Sequence, residues 1–260
     1  MDPLLAFDVE AAKKRCVEFI RHCLADAGLQ KVVLGLSGGV DSAVVAALCA
    51  EAAGCDNTLA LLMPYETSSP SATEDAEELA HLLGIRTEMV EITPVVDAFV
   101  ALRSDADKVR RGNFAARTRM ALLFDAAKRS NALVAGTGNR TEYLLGYFTL
   151  FGDGAFSFAP IVWLYKTQVW ELARYLGIPQ RIVEKKPSAD LWPGQTDEKE
   201  LGITYKEADA ILVRLVDRGM SVDDVVAAGF ARDKVEHIAN LMRRTEFKRR
   251  GPRLLGVGDE

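Results

Sequence analysis

Lys31-Val-Val-Leu-Gly-Leu-Ser-Gly-Gly-Val-Asp-Ser42 is the stretch that decides the fold. Its apolar run, Lys31–Leu36, reads as a buried strand that breaks into a glycine turn and re-enters as a helix over Ala43–Ala53. Gly38 and Gly39 let backbone N–H groups converge on one point, a concavity that suits phosphate oxygens. The helix N-terminus behind the turn adds partial positive charge. Asp41 and Ser42 are expected at the mouth of this cradle. A carboxylate beside phosphates makes chemical sense when a divalent metal lies between them. The plainer alternative is a helix cap in which Ser37 or Asp41 satisfies first-turn amides. The turn lacks the Lys that closes the common phosphate loop, having Val40-Asp41-Ser42 instead, and it carries no Gly-x-Gly-x-x-Gly fingerprint.

Outward from this turn, Val9–Ala27 carries apolar residues at helical spacing and stops at Gly28. Thr58–Met63 reads as a second strand, Ile85–Ile92 as a third and Ala132–Gly136 as a fourth. Between them, Ser71-Ala-Thr-Glu74 predicts a capping box opening a helix to Leu83. A short helix is expected from Pro94, and a longer one over Ala106–Ser130 with a break at Gly112. Alternating strands and helices predict an α/β fold with a doubly wound, mostly parallel sheet. Ligands in such sheets lie beyond the carboxyl ends of the strands, where Ser37–Ser42 and Thr137 both fall. After about Ala159 the chain turns mostly helical, over Tyr165–Leu176, Tyr205–Asp217, Ser221–Ala228 and Arg232–Phe247. The expected organisation is a single unit over 1–260, with an α/β core over about 1–159 and a helical extension over about 160–260.

Composition sets wider bounds. The 260 residues carry a formal net charge of −5, so nothing draws the chain to nucleic acid in general. No apolar run approaches a membrane span and no signal peptide is evident. Cys16, Cys23, Cys49 and Cys55 match no metal-ligand spacing, and Cys16 and Cys23 read as small core residues on one helix face. These features predict a cytoplasmic, reducing location. Lys166, in the first turn of its helix, sits where the partial charge is already positive, and an anionic ligand would explain it.

The turn resembles that of the ATP pyrophosphatases, whose loop grips the leaving pyrophosphate while a substrate is adenylated. Further motifs narrow the choice: Gly136-Thr-Gly-Asn-Arg-Thr-Glu142, Gly146-Tyr-Phe-Thr149, Gly152-Asp-Gly154, Leu164-Tyr-Lys-Thr-Gln168, Lys186-Pro-Ser-Ala-Asp-Leu-Trp192, Gly194-Gln-Thr-Asp-Glu198 and Glu200-Leu-Gly202. Together with Asn113–Met120, and in this order over nearly the whole chain, they resemble ammonia-dependent NAD synthetase. The resemblance implies amidation of deamido-NAD by ammonia with ATP, giving NAD, AMP and pyrophosphate through an adenylated nicotinate.

By the same resemblance, Gly35, Leu36, Ser37, Gly38, Gly39, Val40, Asp41, Ser42, Thr137, Lys166 and Ser188 bind ATP. Asp41 and Glu142 hold one Mg²⁺, and Asp153 serves a second metal site. Asp41, Lys166 and Asp153 are the implied catalytic residues. Arg117, Leu150, Ser157, Phe247 and Lys248 fall at deamido-NAD positions, and the family implies a homodimer. The Pro- and Gly-containing segment over 185–202 is expected to be a lid that keeps water from the adenylate.

Three positions depart from the family pattern: Leu150 where Lys is common, Ser157 where Asp is common, and Phe247 where His is common. All lie on the dinucleotide side, while the ATP side is intact. Either the nicotinate end is held by other residues, or the acceptor is a different carboxylate such as nicotinate mononucleotide. The chain carries no amidohydrolase portion, so free ammonia or a separate donor protein is expected to supply nitrogen. A tRNA-modifying enzyme would share the turn, but no Cys-x-x-Cys pair or large basic domain accompanies it. A non-enzymatic nucleotide sensor would not need Asp41, Glu142, Asp153 and Lys166 together.

Overall fold

The computed structural model describes residues 2–188, 192 and 194–251. Helix α1 (Val9–Asp26) leads into strand β1 (Lys31–Gly35), the glycine turn and α2 (Val40–Ala53). The pattern repeats through β2 (Thr58–Leu62), α3 (Pro70–Leu83), β3 (Arg86–Met89), α4 (Thr93–Leu102), α5 (Lys108–Ser130), β4 (Ala132–Ala135) and α6 (Arg140–Leu145). Among the described residues six α-helices follow: α7 (Lys166–Tyr175), α8 (Gln180–Val183), α9 (Asp197–Leu201), α10 (Tyr205–Leu212), α11 (Val222–Ala227) and α12 (Arg232–Arg244). No helix among the described residues is long and apolar enough to cross a membrane.

The four strands are all parallel, in the order β3-β2-β1-β4. A further parallel bridge, Ala135 to Phe158, extends the sheet past β4. Chain order reverses between β1 and β4, so the crevice beyond their carboxyl ends is the switch point where such sheets bind ligands. Alternation along β1 assigns its faces. Val32 and Leu34 pack into one core with α1, α2, α3 and α7, while Val33 joins the other with Ile92 and Val96 around α4 and Ala115, Ala126 and Ala127 of α5.

A third apolar cluster, built on Tyr205, Ile211, Val225, Val235 and Ile238, gathers α10, α11 and α12 and takes in Leu5 and Leu145. The sheet-layer core draws residues from both sides of residue 159. Ile161, Leu164, Val169 and Leu172 bury against the sheet layer, and α7 completes that layer.

Several boundaries moved for local reasons. Helix α3 begins at Pro70 with Ser69 as N-cap, so the box expected on Ser71 does not form. Proline is favoured at the first helical position, where it lacks no needed N–H. Helix α5 runs unbroken through Gly112, which is buried. Strand β3 is short and largely exposed at the sheet edge. The helix expected over Tyr205–Asp217 widens into a π-helical turn at Val213–Asp217, and the one expected to reach Phe247 ends at Arg244.

Cys16 is a core residue as expected, while Cys23 is half-buried against the same core and Cys49 is buried in it; the Cys16 thiol donates to Pro160 O at 3.2 Å. Within the 185–202 segment, residues 189–191 and 193 lie outside the described residues, so the expected lid is described only at its two ends and at Trp192. There the Lys108 ammonium lies 4.9 Å from the Trp192 ring centroid.

Candidate active site

The glycine turn is built as a rigid cradle. Gly38 has φ +75°, and a Cβ there would stand 2.1 Å from the Ala72 carbonyl oxygen at the start of α3. Only glycine satisfies both the backbone angle and that approach. Gly39 caps α2 without a side chain, leaving the first-turn amides directed at the crevice. Ser42 does not stand at the mouth of the cradle as expected. It is buried, its hydroxyl donates to Gly39 O at 2.9 Å, and it accepts the Ser37 N–H at 3.2 Å. Its place is to brace the turn from behind. The side chains of Leu36 and Val40 are likewise buried in the core, so only their backbone faces the crevice side of the turn.

Three helix starts meet at this crevice. Asp41 comes from α2, Glu142 from α6 and Lys166 from α7. The Lys166 ammonium hydrogen-bonds Asp41 Oδ2 and lies 3.4 Å from Glu142 Oε1. Asn139, fully buried, donates to Asp41 Oδ1 at 2.9 Å. Its own Oδ1 accepts the Glu142 N–H at 3.0 Å, while Glu142 Oε2 accepts the Asn139 N–H at 3.2 Å. This capping box fixes Glu142 against the strand-β4 exit and points its other oxygen at Lys166. The start of α7 is anchored by Asp209, which accepts from Thr141 Oγ1 at 2.5 Å and from the Thr167 N–H at 2.8 Å. Thr141 Oγ1 in turn accepts the Lys166 N–H at 3.0 Å.

The charges are unbalanced. Burial raises the Glu142 carboxyl to about 8, the Asp41 charge pushes the same way, and Lys166 opposes both. Burial works against the Lys166 ammonium, yet Asp41 and Glu142 overcome it and hold the amine above its ordinary value. Asp197 is raised by burial too, with Lys166 opposing. One ammonium thus serves three acidic groups: it stays charged, and Glu142 is the member left short of positive charge. Burial also lifts Asp209, to about 6.

A second group of expected residues lines a small neighbouring pocket. Asp153 and Glu142 both face it, with Asn139, Tyr143, Phe148, Phe156 and Lys248. Asp153 Oδ1 accepts the Thr149 N–H at 2.9 Å. Asp153 keeps exposed surface, but the crowding of protein atoms around its carboxyl raises its pKa, opposed by its hydrogen bonds and Lys248. Lys248 donates to the carbonyls of Gly146 and Phe148, both at 2.7 Å.

The remaining positions are more dispersed. Arg117 is exposed and donates to Leu150 O through Nε at 3.3 Å and Nη2 at 3.2 Å. Ser157 Oγ accepts the Val134 N–H at 3.1 Å, beside the sheet extension. Phe247 is 62% exposed. Thr137 follows β4 and is half-buried, and Ser188 is exposed in the 185–202 segment. The structure therefore brings Asp41, Glu142 and Lys166 into contact, sets Asp153 and Lys248 at one adjoining pocket, and does not gather Arg117, Ser157, Phe247 and Ser188 at that contact.

Comparison with known proteins settles the family. A family model described as NAD synthase matches residues 12–252. The chain belongs to the NAD synthase family. Its relative from Fusobacterium nucleatum subsp. nucleatum, an NH(3)-dependent NAD(+) synthetase, is 48% identical over 248 residues, covering 95% of this chain and 96% of that one. The NMN synthetase structure from Francisella tularensis superposes with a TM-score of 0.86 at 36% identity, over 96% of this chain and 100% of that one. The NH3-dependent NAD synthetase from Campylobacter jejuni subsp. jejuni NCTC 11168, in complex with the nitrate ion, gives 0.82 at 35% identity, with 96% and 100% covered. The ammonia-dependent NAD synthetase family read from the motifs, and the α/β class read from the strand-helix alternation, both hold.

Sequence reasoning gave no role to Asn139, Tyr147, Asp197, Tyr205 and Asp209, which hydrogen bonds join to the network around Glu142 and Lys166. Asn139 carried a readable signal, because Asn139-Arg-Thr-Glu142 is itself a capping-box pattern. Asp209 and Tyr205 lie on α10, far along the chain, and carried none.

Proposed function

We propose that this chain amidates deamido-NAD with ammonia and ATP, forming NAD, AMP and pyrophosphate. The observation that carries this is the meeting of Asp41, Glu142 and Lys166 at the switch point, in a chain nearly half identical to NH(3)-dependent NAD(+) synthetases along almost its whole length. A nicotinate carboxylate oxygen attacks the α-phosphorus of ATP, and the bond from that phosphorus to pyrophosphate breaks. Ammonia then attacks the activated carbonyl carbon, the carbon–oxygen bond breaks, and AMP leaves with one former carboxylate oxygen while the nitrogen loses a proton.

Both steps develop negative charge on phosphate oxygens, and a preorganised cation stabilises it best where water is excluded. Lys166 supplies one such charge, held by Asp209 and Thr141 through the start of its helix. The first-turn amides of α2 face the phosphates from the other side.

A magnesium ion fits the same place. The Lys166 ammonium already acts as a stand-in cation for Asp41 and Glu142, and two carboxylates are the hard oxygen donors Mg²⁺ takes. Among the described residues no group of three or more His, Cys, Asp or Glu side chains could hold a metal alone, so ATP phosphates would complete the shell. Bound there, the ion would neutralise charge on those phosphates. Asp153, across the small pocket from Glu142, would serve a second ion. Arg117 and Lys248 would meet the dinucleotide.

The test is one incubation with Mg-ATP, ammonium and deamido-NAD, and another with nicotinate mononucleotide in its place, with products separated by chromatography. NAD with matching AMP in the first supports the proposal. AMP only in the second supports the other acceptor, toward which the likeness to the Francisella tularensis NMN synthetase points. No AMP in either refutes both.

If Leu150 and Ser157 weaken the acceptor side, Leu150→Lys with Ser157→Asp lowers KM for deamido-NAD by about tenfold and leaves KM for ATP unchanged. Equal shifts in both constants would contradict this. The chain is also proposed to form a homodimer. Light scattering should give twice 28.4 kDa, and a monomer at working concentration would refute it.

A further inference from the structure

Tyr205 lies beneath the charged cluster and is fully buried. Its hydroxyl donates to Asp197 Oδ2 at 3.0 Å and lies 3.4 Å from Glu142 Oε1. Its ring centroid is 5.0 Å from the Lys166 ammonium and meets Trp170 edge-on. Asp197, the first residue of α9, is buried between two phenols, since Tyr147 OH approaches its other oxygen at 3.1 Å. Tyr147 OH also lies 2.7 Å from Glu200 Oε2.

This places one neutral donor between two acidic groups that both feel Lys166. Without the hydroxyl, Asp197 would be drawn toward the Lys166 ammonium, whose charge already acts on its carboxyl, and compete with Asp41 and Glu142 for it. The phenol prevents this in two ways. Its hydrogen satisfies Asp197 where it stands, and its oxygen fills the space between Asp197 and Glu142. A buried network of this kind fixes one arrangement only while every member is satisfied. The ring, meanwhile, supports the ammonium by a cation–π contact and is independent of the hydroxyl.

We propose that the Tyr205 hydroxyl is a positioning group that holds Asp197 apart from Lys166 and Glu142, and so keeps those two side chains free to receive metal-bound ATP. The role rests on the ATP and metal assignment above, and it acts through Glu142 and Lys166 with no contact to the reacting atoms.

Tyr205→Phe tests it while keeping the ring, the core packing and the cation–π contact. The variant should melt within about 4 °C of the parent, as expected for one lost hydrogen bond in a chain of this size. Its KM for Mg-ATP should rise about tenfold and its kcat fall about tenfold, with KM for the acceptor within twofold. The decisive readout is independent of turnover: Mn²⁺ binding, followed by its electron spin resonance signal, in the presence of a non-hydrolysable ATP analogue. Tyr205→Phe should bind the ion about tenfold more weakly than the parent.

Parental Mn²⁺ affinity in Tyr205→Phe would overturn the proposal. So would equal losses toward both substrates accompanied by a large fall in melting temperature, which is the mark of a merely structural residue. An error in the acceptor assignment would leave the Mn²⁺ result intact, so the two failures are distinguishable.

Discussion

Replacing Lys166 with Met is expected to lower turnover by about a thousandfold, the scale seen when one preorganised charge or donor is removed from a transition state. It should also destabilise the ligand-free protein. Lys166 is 3% exposed and is the ammonium between Asp41 and Glu142, each 17% exposed. Removing one partner of a buried charge pair costs about 3–5 kcal/mol, which corresponds to a melting temperature lower by on the order of 10 °C. Met fills similar volume, so the loss reports charge. The distinctive part of the result is its rescue. With the stand-in cation gone, millimolar Mg²⁺ should restore much of the lost melting temperature without ATP present, while leaving the parent nearly unaffected. Calorimetric melts with and without the ion make the comparison. A variant whose stability ignores Mg²⁺, or whose turnover matches the parent, would contradict the assignment of this pair as a cation site.

The second large effect is expected for Asp41→Asn. Asp41 accepts from Asn139 on one oxygen and from Lys166 on the other, so the amide, with a single oxygen, keeps one of these two bonds and turns its NH2 toward the other donor, while the backbone of the turn and the start of α2 should be retained. The variant thus loses the negative charge and one accepted hydrogen bond. Turnover should fall by about a hundredfold or more, with the Mg²⁺ concentration needed for half-maximal rate shifted upward. Melting should change far less than for Lys166→Met, because one acidic group fewer then shares the single ammonium. Steady-state rates over a Mg²⁺ series check both parts. A near-normal rate would remove Asp41 from the mechanism.

What could be read from the chain follows from which interactions are local. The strand-turn-helix around Gly38 is local: an apolar run, two glycines and a helix start lie within twelve residues of one another, and the structure has them in that order, with the helix opening at Val40 where the reading had it begin at Ala43. Glu142 and Lys166 were legible as members of motifs, and Lys166 also as a lysine at the wrong end of its helix. The bracing role of Ser42 was not legible, because a serine at the third helical position can face the ligand or the turn equally well. The start of α3 was misread because Pro70 outranks Ser71 as a helix opener. Tyr205 and Asp209 were invisible for a different reason. They reach Glu142 and Thr141 only once α10 has packed on α7 and α6, and no periodicity in a single sequence records such a contact. Asp197, on α9, stood inside a quoted motif without a role, because the two phenols it binds, Tyr147 and Tyr205, are met only in the fold. Leu150, Ser157 and Phe247 stood out by departing from a pattern, and the structure adds where they lie: beside Arg117, at the sheet extension and on the surface.

The central claim is that this site activates a carboxylate by transferring AMP to it. Deamido-NAD labelled with ¹⁸O in both carboxylate oxygens, incubated with Mg-ATP and ammonium, tests it directly by mass spectrometry of the products. The account predicts AMP carrying one ¹⁸O, NAD carrying the other in its amide, and unlabelled pyrophosphate. Unlabelled AMP, or label in inorganic phosphate beside ADP, would contradict it.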